Sequence, residues 1–434
     1  MTKPCYPSGC AAGSQASGIA PSPSDSAWYV NFNNGNSNWN HQNNEGLVRA
    51  VRAGECQGAM SFRDLHAAWR AARRGKKPSV DQIAFDAQWM DRLLELQERL
   101  NTLTWSPSPC TCFIASQPKA REIHAPAFPD RVVHHYLVPR LEAIYEPRFV
   151  HDSYSNRRGK GTHAAVDRLQ AFVRQVQSGQ SGGWYLQLDI RNCFNRIHRP
   201  TLYRMLKREM GRHDLPLPIR KATHALLARS CAETGVRYAC TPEQRAAVPL
   251  HKRLEGAPPG CGIAIGNLSS QFFANVYLDA LDQFVKHELK TTRYLRYVDD
   301  FVLVHSDRDQ LVAWRERIER FLANELRLEL KPSPPLRRLT EGIDFLGYVV
   351  FPTHRLVRRR VIAHARAKLA AWEREHVRPS GLRASNAALE HLRSIWASYL
   401  GHFRRASSYR VRERIFQRFA WLPYSLVRTR CRSG

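Results

Sequence analysis

No stretch of the 434-residue chain has the eighteen or so consecutive apolar residues of a membrane-spanning helix, so none is expected. The first residues lack a charged segment followed by an apolar one, so no secretory signal is expected and the expected location is cytoplasmic. The ten cysteines are scattered, and neither Cys5-x4-Cys10 nor Cys110-x-Cys112 has the paired spacing of a zinc site. In a reducing compartment they read as free thiols. Acidic residues are scarce, 38 against 66 Lys plus Arg, which leaves a net charge of +28 and a pI near 10.2. Such a balance points to a polyanionic partner held by phosphate neutralisation and counterion release. The excess clusters at Arg355, Arg358, Arg359 and Arg360, before a predicted helix carrying Arg366 and Lys368. No amphipathic segment is hydrophobic enough to make a membrane surface the partner.

The acids that are present fall in two informative places. Tyr297-Val298-Asp299-Asp300 stands between Leu295-Arg296 and Phe301-Val302-Leu303-Val304, which reads as a β-hairpin with two carboxylates at its tip. Adjacent acids are costly unless a cation neutralises them, and hard divalent ions suit oxygen ligands. A solvated Asp-Asp turn is the plainer reading of that tetrapeptide taken alone. The second place lies 110 residues upstream (299 − 189), where Trp184-Tyr185-Leu186-Gln187-Leu188-Asp189-Ile190 is another short apolar strand ending on a carboxylate. A turn cap is the plainer reading of Asp189. Two such strand ends on one sheet can clamp two metal ions roughly 4 Å apart for in-line nucleotidyl transfer. One ion would then acidify a primer 3′-hydroxyl while the other holds the triphosphate.

From about Met60 to about Ala420 the chain resembles reverse transcriptases, with the signature blocks in order. The resemblance implies an α+β right-hand polymerase fold, with fingers, a palm of antiparallel sheet plus helices, and a helical thumb. Asp189 matches the metal-binding acid of the first palm motif, with Ile190 beside it in the metal site. Asp299 and Asp300 match the acids of the second, Asp299 as a ligand and Asp300 partly as a structural residue. The implied cofactor is a pair of Mg²⁺ ions, with Mn²⁺ able to substitute. Phe194, five residues after Asp189, matches the bulky residue that abuts the sugar 2′ position; ordinary core packing is its other reading.

Gly262-Ile263-Ala264-Ile265-Gly266-Asn267-Leu268-Ser269-Ser270-Gln271 narrows the resemblance. Most reverse transcriptases carry Pro-Gln-Gly and then Ser-Pro here. The Ile-Gly-Asn-x-x-Ser-Gln pattern is similar to the enzymes of diversity-generating retroelements, as are Asp130-Arg131-Val132-Val133-His134-His135, Gly161-Thr162-His163-Ala164 and Phe345-Leu346-Gly347-Tyr348 followed by Pro352-Thr353-His354. Such enzymes copy a template-repeat RNA, misincorporate opposite adenines and seed replacement of part of a target gene. At Ile265 an aliphatic side chain replaces a glutamine able to hydrogen-bond near the incoming nucleotide, and lost polar contacts relax selection steeply. Packing beneath the motif is the alternative.

The resemblance assigns further roles. Lys119 and Arg121 would bind the triphosphate, Arg through its fork and Lys as a point charge; Gly266 and Gln271 would line the nucleotide site, and Lys331 would protonate pyrophosphate. Arg157, Arg158 and Lys160, in a Gly-flanked basic loop, would hold a nucleic-acid backbone, together with Tyr297 and with Arg358, Arg359 and Arg360. Phe345, Leu346 and Gly347 would form the primer-grip hairpin, Gly347 allowing close backbone approach. Implied partners are the template RNA, the RNA–DNA hybrid, deoxynucleoside triphosphates and a helical basic accessory protein. A group II intron or retron enzyme is the nearest alternative, and a catalytically silent RNA-binding descendant is the alternative from another class.

Along the chain, 62–103 reads as helical with Leu93, Leu94, Leu96 and Leu100 at apolar positions. Finger strands follow in 104–124, then a helix over 128–147 with Val132, Val133, Leu137, Leu141 and Ile144 inward. Helices are expected near 163–177, 199–211, 216–231, 267–289 and 308–325, with a variable-looking stretch over 232–258. The expected domains are 60–180 (N-terminal helices and fingers), 181–352 (palm) and 353–434 (thumb and tail). Residues 1–59 stand apart: eight asparagines fall within 31–44, a poor core former. Ala27–Gly35 and Leu47–Arg52 resemble the closing strands of lectin-like or formylglycine-enzyme-like variable domains, typical targets of these retroelements. Asparagine codons begin with two adenines, so 1–56 is read as a template repeat translated in frame; an inconsequential disordered tail is the alternative.

Overall fold

In the computed structural model the described residues are 59–426, apart from 76, 117–118, 178–181 and 333–334, together with a short antiparallel pair at Val30–Asn31 and Asn36–Ser37. The reading of residues 1–59 as a variable-domain repeat otherwise lies outside them. The fold is α+β: helices surround several small, mainly antiparallel sheets.

Helices Phe62–Arg73, Val80–Ala87 and Trp89–Asn101 open it, the first capped by the Ser61 hydroxyl accepting from the Asp64 amide at 3.2 Å. They pack with Phe128–Tyr145 around Leu65, Trp69, Leu93, Leu96, Val133 and Leu137. Leu94 does not join them. It is 49 % exposed, because an apolar residue next in sequence to Leu93 lies 100° round the helix from it. Val132, Leu141 and Ile144 are buried as the helical spacing predicts.

Cys110–Ala115 pairs antiparallel with Arg121–Ala125 and parallel with Val236–Tyr238, so the stretch 232–258 donates a strand to the finger sheet.

The central sheet has four strands in the order Tyr294–Tyr297, Asp300–His305, Trp184–Asp189, Arg337–Arg338, all antiparallel. Alternation along its strands feeds two cores. Leu186, Leu188, Phe301 and Leu303 face helices Leu268–Gln283 and Arg308–Leu326. Tyr185, Val302 and Val304 face helix Thr162–Gln177 through Leu169 and Val173. Both faces are covered, which is why Phe301–Val304 is a continuous apolar run. Each such side chain contributes roughly 1.5–3 kcal/mol by burial, so the acids at the strand ends stand on a stiff floor.

Beyond it, Ile343–Phe345, Tyr348–Val350 and Arg355–Val357 form a three-stranded antiparallel sheet. Helices Arg359–His376, Asn386–Phe403, Tyr409–Arg418 and Leu422–Leu426 follow with their own core of Leu369, Trp372, Leu392, Trp396, Phe403 and Phe419. Among the described residues no helix is long and apolar enough to cross a membrane.

Candidate active site

The two acid-bearing strands are neighbours. Asp189 sits opposite Asp300 in the ladder, and the Ile190 amide donates to the Asp299 carbonyl at 3.1 Å. Tyr297 pairs with Asp300, so the tip holds Val298 and Asp299. Asp300 therefore opens the next strand and does not share the tip, a correction to the sequence reading. Its carboxylate accepts from Gln187 Nε2 at 3.2 and 3.4 Å, and Gln187 also donates to the Asp344 carbonyl at 3.1 Å.

Crowded like charges dominate the electrostatics. Asp299 and Asp300 keep partial solvent contact, yet protein hems them in. Burial, and then the charge of Asp189, pushes Asp299 up to about 6, with Lys331 and Arg121 opposing. Burial pushes Asp300 well above the usual carboxylate range, against the Gln187 hydrogen bond. Lys331 Nζ rests 2.5 Å from Asp189 Oδ2, and its amide donates to the Asp189 carbonyl at 2.8 Å.

Two divalent ions fit this donor set in part. Asp189 Oδ1 is buried with no hydrogen-bond partner, an orphan that a cation would satisfy. Among the described residues no three carboxylate, imidazole or thiol groups form a ready cage. Gln187 engages both oxygens of Asp300 and Lys331 takes Asp189 Oδ2, which leaves Asp189 Oδ1 and the Asp299 carboxylate as the candidate ligands. Ile190 is fully buried, and its amide is taken by Asp299; its side chain supplies no ligand.

Around the acids, Asn192 takes a left-handed turn (φ 48°) into the single helical turn Cys193–Arg196. Phe194 is partly buried between the two cores, and its carbonyl accepts from the Ile263 amide at 2.9 Å. The Ile265 carbonyl accepts from the His124 amide at 2.8 Å, seating the Ile265-Gly266 loop on the finger strand. Gly266 (φ 117°) has no room for a Cβ, which would meet Ile123 Cγ2 at 2.8 Å and the His124 carbonyl at 3.1 Å. Ile265 and Gln271 are each partly buried. Arg121 lies close enough to act on Asp299, whereas Lys119 is exposed.

Other expected contacts differ. Arg157 is turned inward, donating to Glu146 Oε1 at 2.9 Å and to the Val150 and Ser153 carbonyls at 2.6 and 3.0 Å. It braces the loop and has no free face for a phosphate. Lys160 Nζ donates to the His151 carbonyl at 2.9 Å, and Arg158 is the exposed cation of the three. Tyr297 is buried with its hydroxyl 3.1 Å from Thr162 Oγ1. Phe345, Leu346 and Gly347 are all buried, so neither of the two side chains stands open to a nucleic-acid strand. Arg358 Nε lies 2.9 Å from Asp344 Oδ2, Arg359 is exposed and Arg360 is partly buried.

Gln187 is the site residue that sequence reasoning passed over. Period-two alternation would have found it, since it stands two residues before Asp189 on the same face of the strand.

Paired strand-end acids on a sheet sandwiched by helices define a nucleotidyl-transfer type of centre. Residues 115–350, more than half of the chain, match the family model described as reverse transcriptase (RNA-dependent DNA polymerase), and the chain belongs to that family. The group II intron-encoded protein LtrA of Lactococcus lactis subsp. cremoris is 22 % identical over 324 residues, covering 59 % of this chain and 49 % of that protein. YkfC of Escherichia coli K12 is 23 % identical over 317 residues, covering 65 % and 75 %. The chain thus spans about half the length of the first of these relatives. Among solved structures, apo telomerase from Candida tropicalis aligns with a TM-score of 0.43 at 12 % identity, covering 74 % of this chain and 58 % of that one. Telomerase from Candida albicans with a fragment of telomeric RNA aligns at 0.38 and 10 % identity, covering 74 % and 60 %.

Proposed function

We propose that the chain is an RNA-directed DNA polymerase that copies a template-repeat RNA into cDNA with adenine-directed errors, the enzyme of a diversity-generating retroelement. The observation that carries the polymerase reading is Asp189 beside Asp299, with Asp189 Oδ1 buried and unpartnered. When bound, two Mg²⁺ ions would activate the primer 3′-hydroxyl and neutralise charge building on the leaving pyrophosphate. Asp189 and Asp299 would hold them, and Asp300, fixed by Gln187, shapes the floor. Arg121 reaches the triphosphate from the finger strand, with Lys119 as an outer point charge. Lys331 holds a proton at Nζ beside the departing phosphate. Phe194 bars a ribose 2′-hydroxyl, and the Leu346-Gly347 turn supports the primer end. Exposed Arg158 and Arg359 suit the backbone of an RNA–DNA hybrid.

The retroelement reading rests on Ile265. An aliphatic group there removes polar discrimination, and its main chain is fixed by His124, so the substitution leaves the loop in place. A helical basic accessory protein belongs to the same proposal. The similarity to LtrA favours a second reading, a faithful group II intron-type enzyme.

Primer extension on an RNA template, with products sequenced, tests both. Wild type should extend, and Asp299→Ala should lose at least about 1,000-fold in rate. Errors should concentrate at template adenines and fall in Ile265→Gln. Extension without adenine bias would favour the intron-type reading, and no extension by wild type would favour a silent RNA binder.

A further inference from the structure

Arg296, next to the catalytic turn, has no role in the chemistry above. It is fully buried, and its guanidinium is saturated. Nε donates to Asp282 Oδ1 at 2.8 Å and Nη2 to Asp282 Oδ2 at 2.5 Å. Nη2 also reaches Ser153 Oγ at 3.2 Å, and Nη1 reaches Asn275 Oδ1 at 3.4 Å and the Val298 carbonyl at 3.0 Å. Tyr294 hydroxyl adds a bond to Asp282 Oδ1 at 2.6 Å. The main chain is held as well, the Arg296 amide donating to the Asp152 carbonyl at 2.9 Å and the Tyr154 amide to the Arg296 carbonyl at 3.0 Å.

Stability is a poor reason for such a network. A buried ion pair replaced by apolar residues of similar volume often leaves a fold equally or more stable. The contact that singles Arg296 out is the one to Val298. That residue is β-branched, buried and left-handed (φ 57°), a conformation costing roughly 1–2 kcal/mol for an L-residue. Its carbonyl is the last main-chain acceptor before Asp299. Released, the turn could relax to an unstrained shape, and Asp299 would swing away from Asp189.

We propose that Arg296 is a positioning residue: anchored on Asp282 and Asn275 of helix Leu268–Gln283, it pins the Val298 carbonyl and so holds Asp299 at metal-sharing distance from Asp189. The inference rests on the polymerase reading above. Lysine can keep the charge pair with Asp282, but it lacks the planar fork needed to reach Asp282, Ser153 and Val298 together.

Two measurements on the full chain test it. In primer extension, Arg296→Lys should lose about 100-fold in kcat, with KM for deoxynucleotide and Kd for template–primer within about twofold of wild type. In electron paramagnetic resonance titration with Mn²⁺ alone, it should bind roughly 10-fold more weakly. A purely structural role predicts a lower melting temperature with both quantities unchanged, and that result overturns the proposal. Should Arg296→Lys fail to fold, Arg296→Met with Asp282→Leu removes the buried pair as a unit; wild-type kcat and Mn²⁺ affinity in that folded variant would equally overturn it. If wild type extends no primer, the polymerase reading fails, and the Mn²⁺ titration alone then decides the role of Arg296.

Discussion

Two tight turns lie near the centre of the molecule, and they solve one backbone problem differently. In Phe345-Leu346-Gly347-Tyr348 both central residues are left-handed (φ 49° and 88°), the pattern that suits a two-residue hairpin, and glycine relieves half of the cost. In Tyr297-Val298-Asp299-Asp300 the left-handed position is a valine and no glycine is present. The first turn rests on a histidine: His402 stacks on Tyr348 at 4.1 Å and sets Nε2 3.3 Å from the Gly347 carbonyl. The second rests on the buried guanidinium of Arg296. Each turn keeps one left-handed residue that is not glycine, Leu346 or Val298, so the difference lies in the brace: an imidazole beside the first and a buried guanidinium beneath the second.

The largest break in this comparison is expected from Gly347→Val. A Cβ there would meet the His402 ring at 3.1 Å in a left-handed backbone, and a loss of about 2–3 kcal/mol should appear in thermal unfolding. Next comes pH. Burial holds the His402 imidazole down at about 4, against an ordinary value of 6.5. A histidine depressed in the folded state contributes stability that is complete above 6.5 and is lost as pH falls toward 4. Between pH 7.5 and pH 5 that loss should be about 2 kcal/mol, and His402→Phe should flatten the pH dependence of the melting temperature. His134 and His124, held by burial at about 3 and about 4, add slopes of the same sign that persist in that variant. The smallest effect belongs to Val298→Gly. Relief of the left-handed cost is set against the lost burial of the valine side chain and the entropy of a freer unfolded chain, so a net loss of about 1 kcal/mol is expected. A large loss there would mean that the valine side chain, and not the strain, matters at this turn.

The acids were legible in the sequence because each ends an apolar strand, and strand alternation is a local signal. That Asp189 faces Asp300 across a ladder is long-range and came into view with the coordinates. The helices were legible from spacing, yet Leu94 was misplaced, since an apolar letter in a helix does not say which side is covered. Arg157 was misread for a related reason: composition marks a cation, and only the neighbouring Glu146 and carbonyls reveal that it points inward. Strand Val236–Tyr238 carries just three residues and a parallel partner 126 positions earlier (236 − 110, Val236 opposite Cys110), too brief for periodicity to register. Arg296 reads as ordinary strand flank until its five donors are traced.

The order of strands in the central sheet has a consequence during synthesis. Trp184–Asp189 finds one neighbour at Asp300–His305 and the other at Arg337–Arg338, so it must wait for most of the polypeptide to leave the ribosome. A product of interrupted translation ending before Tyr294 would keep its first acid solitary and inert.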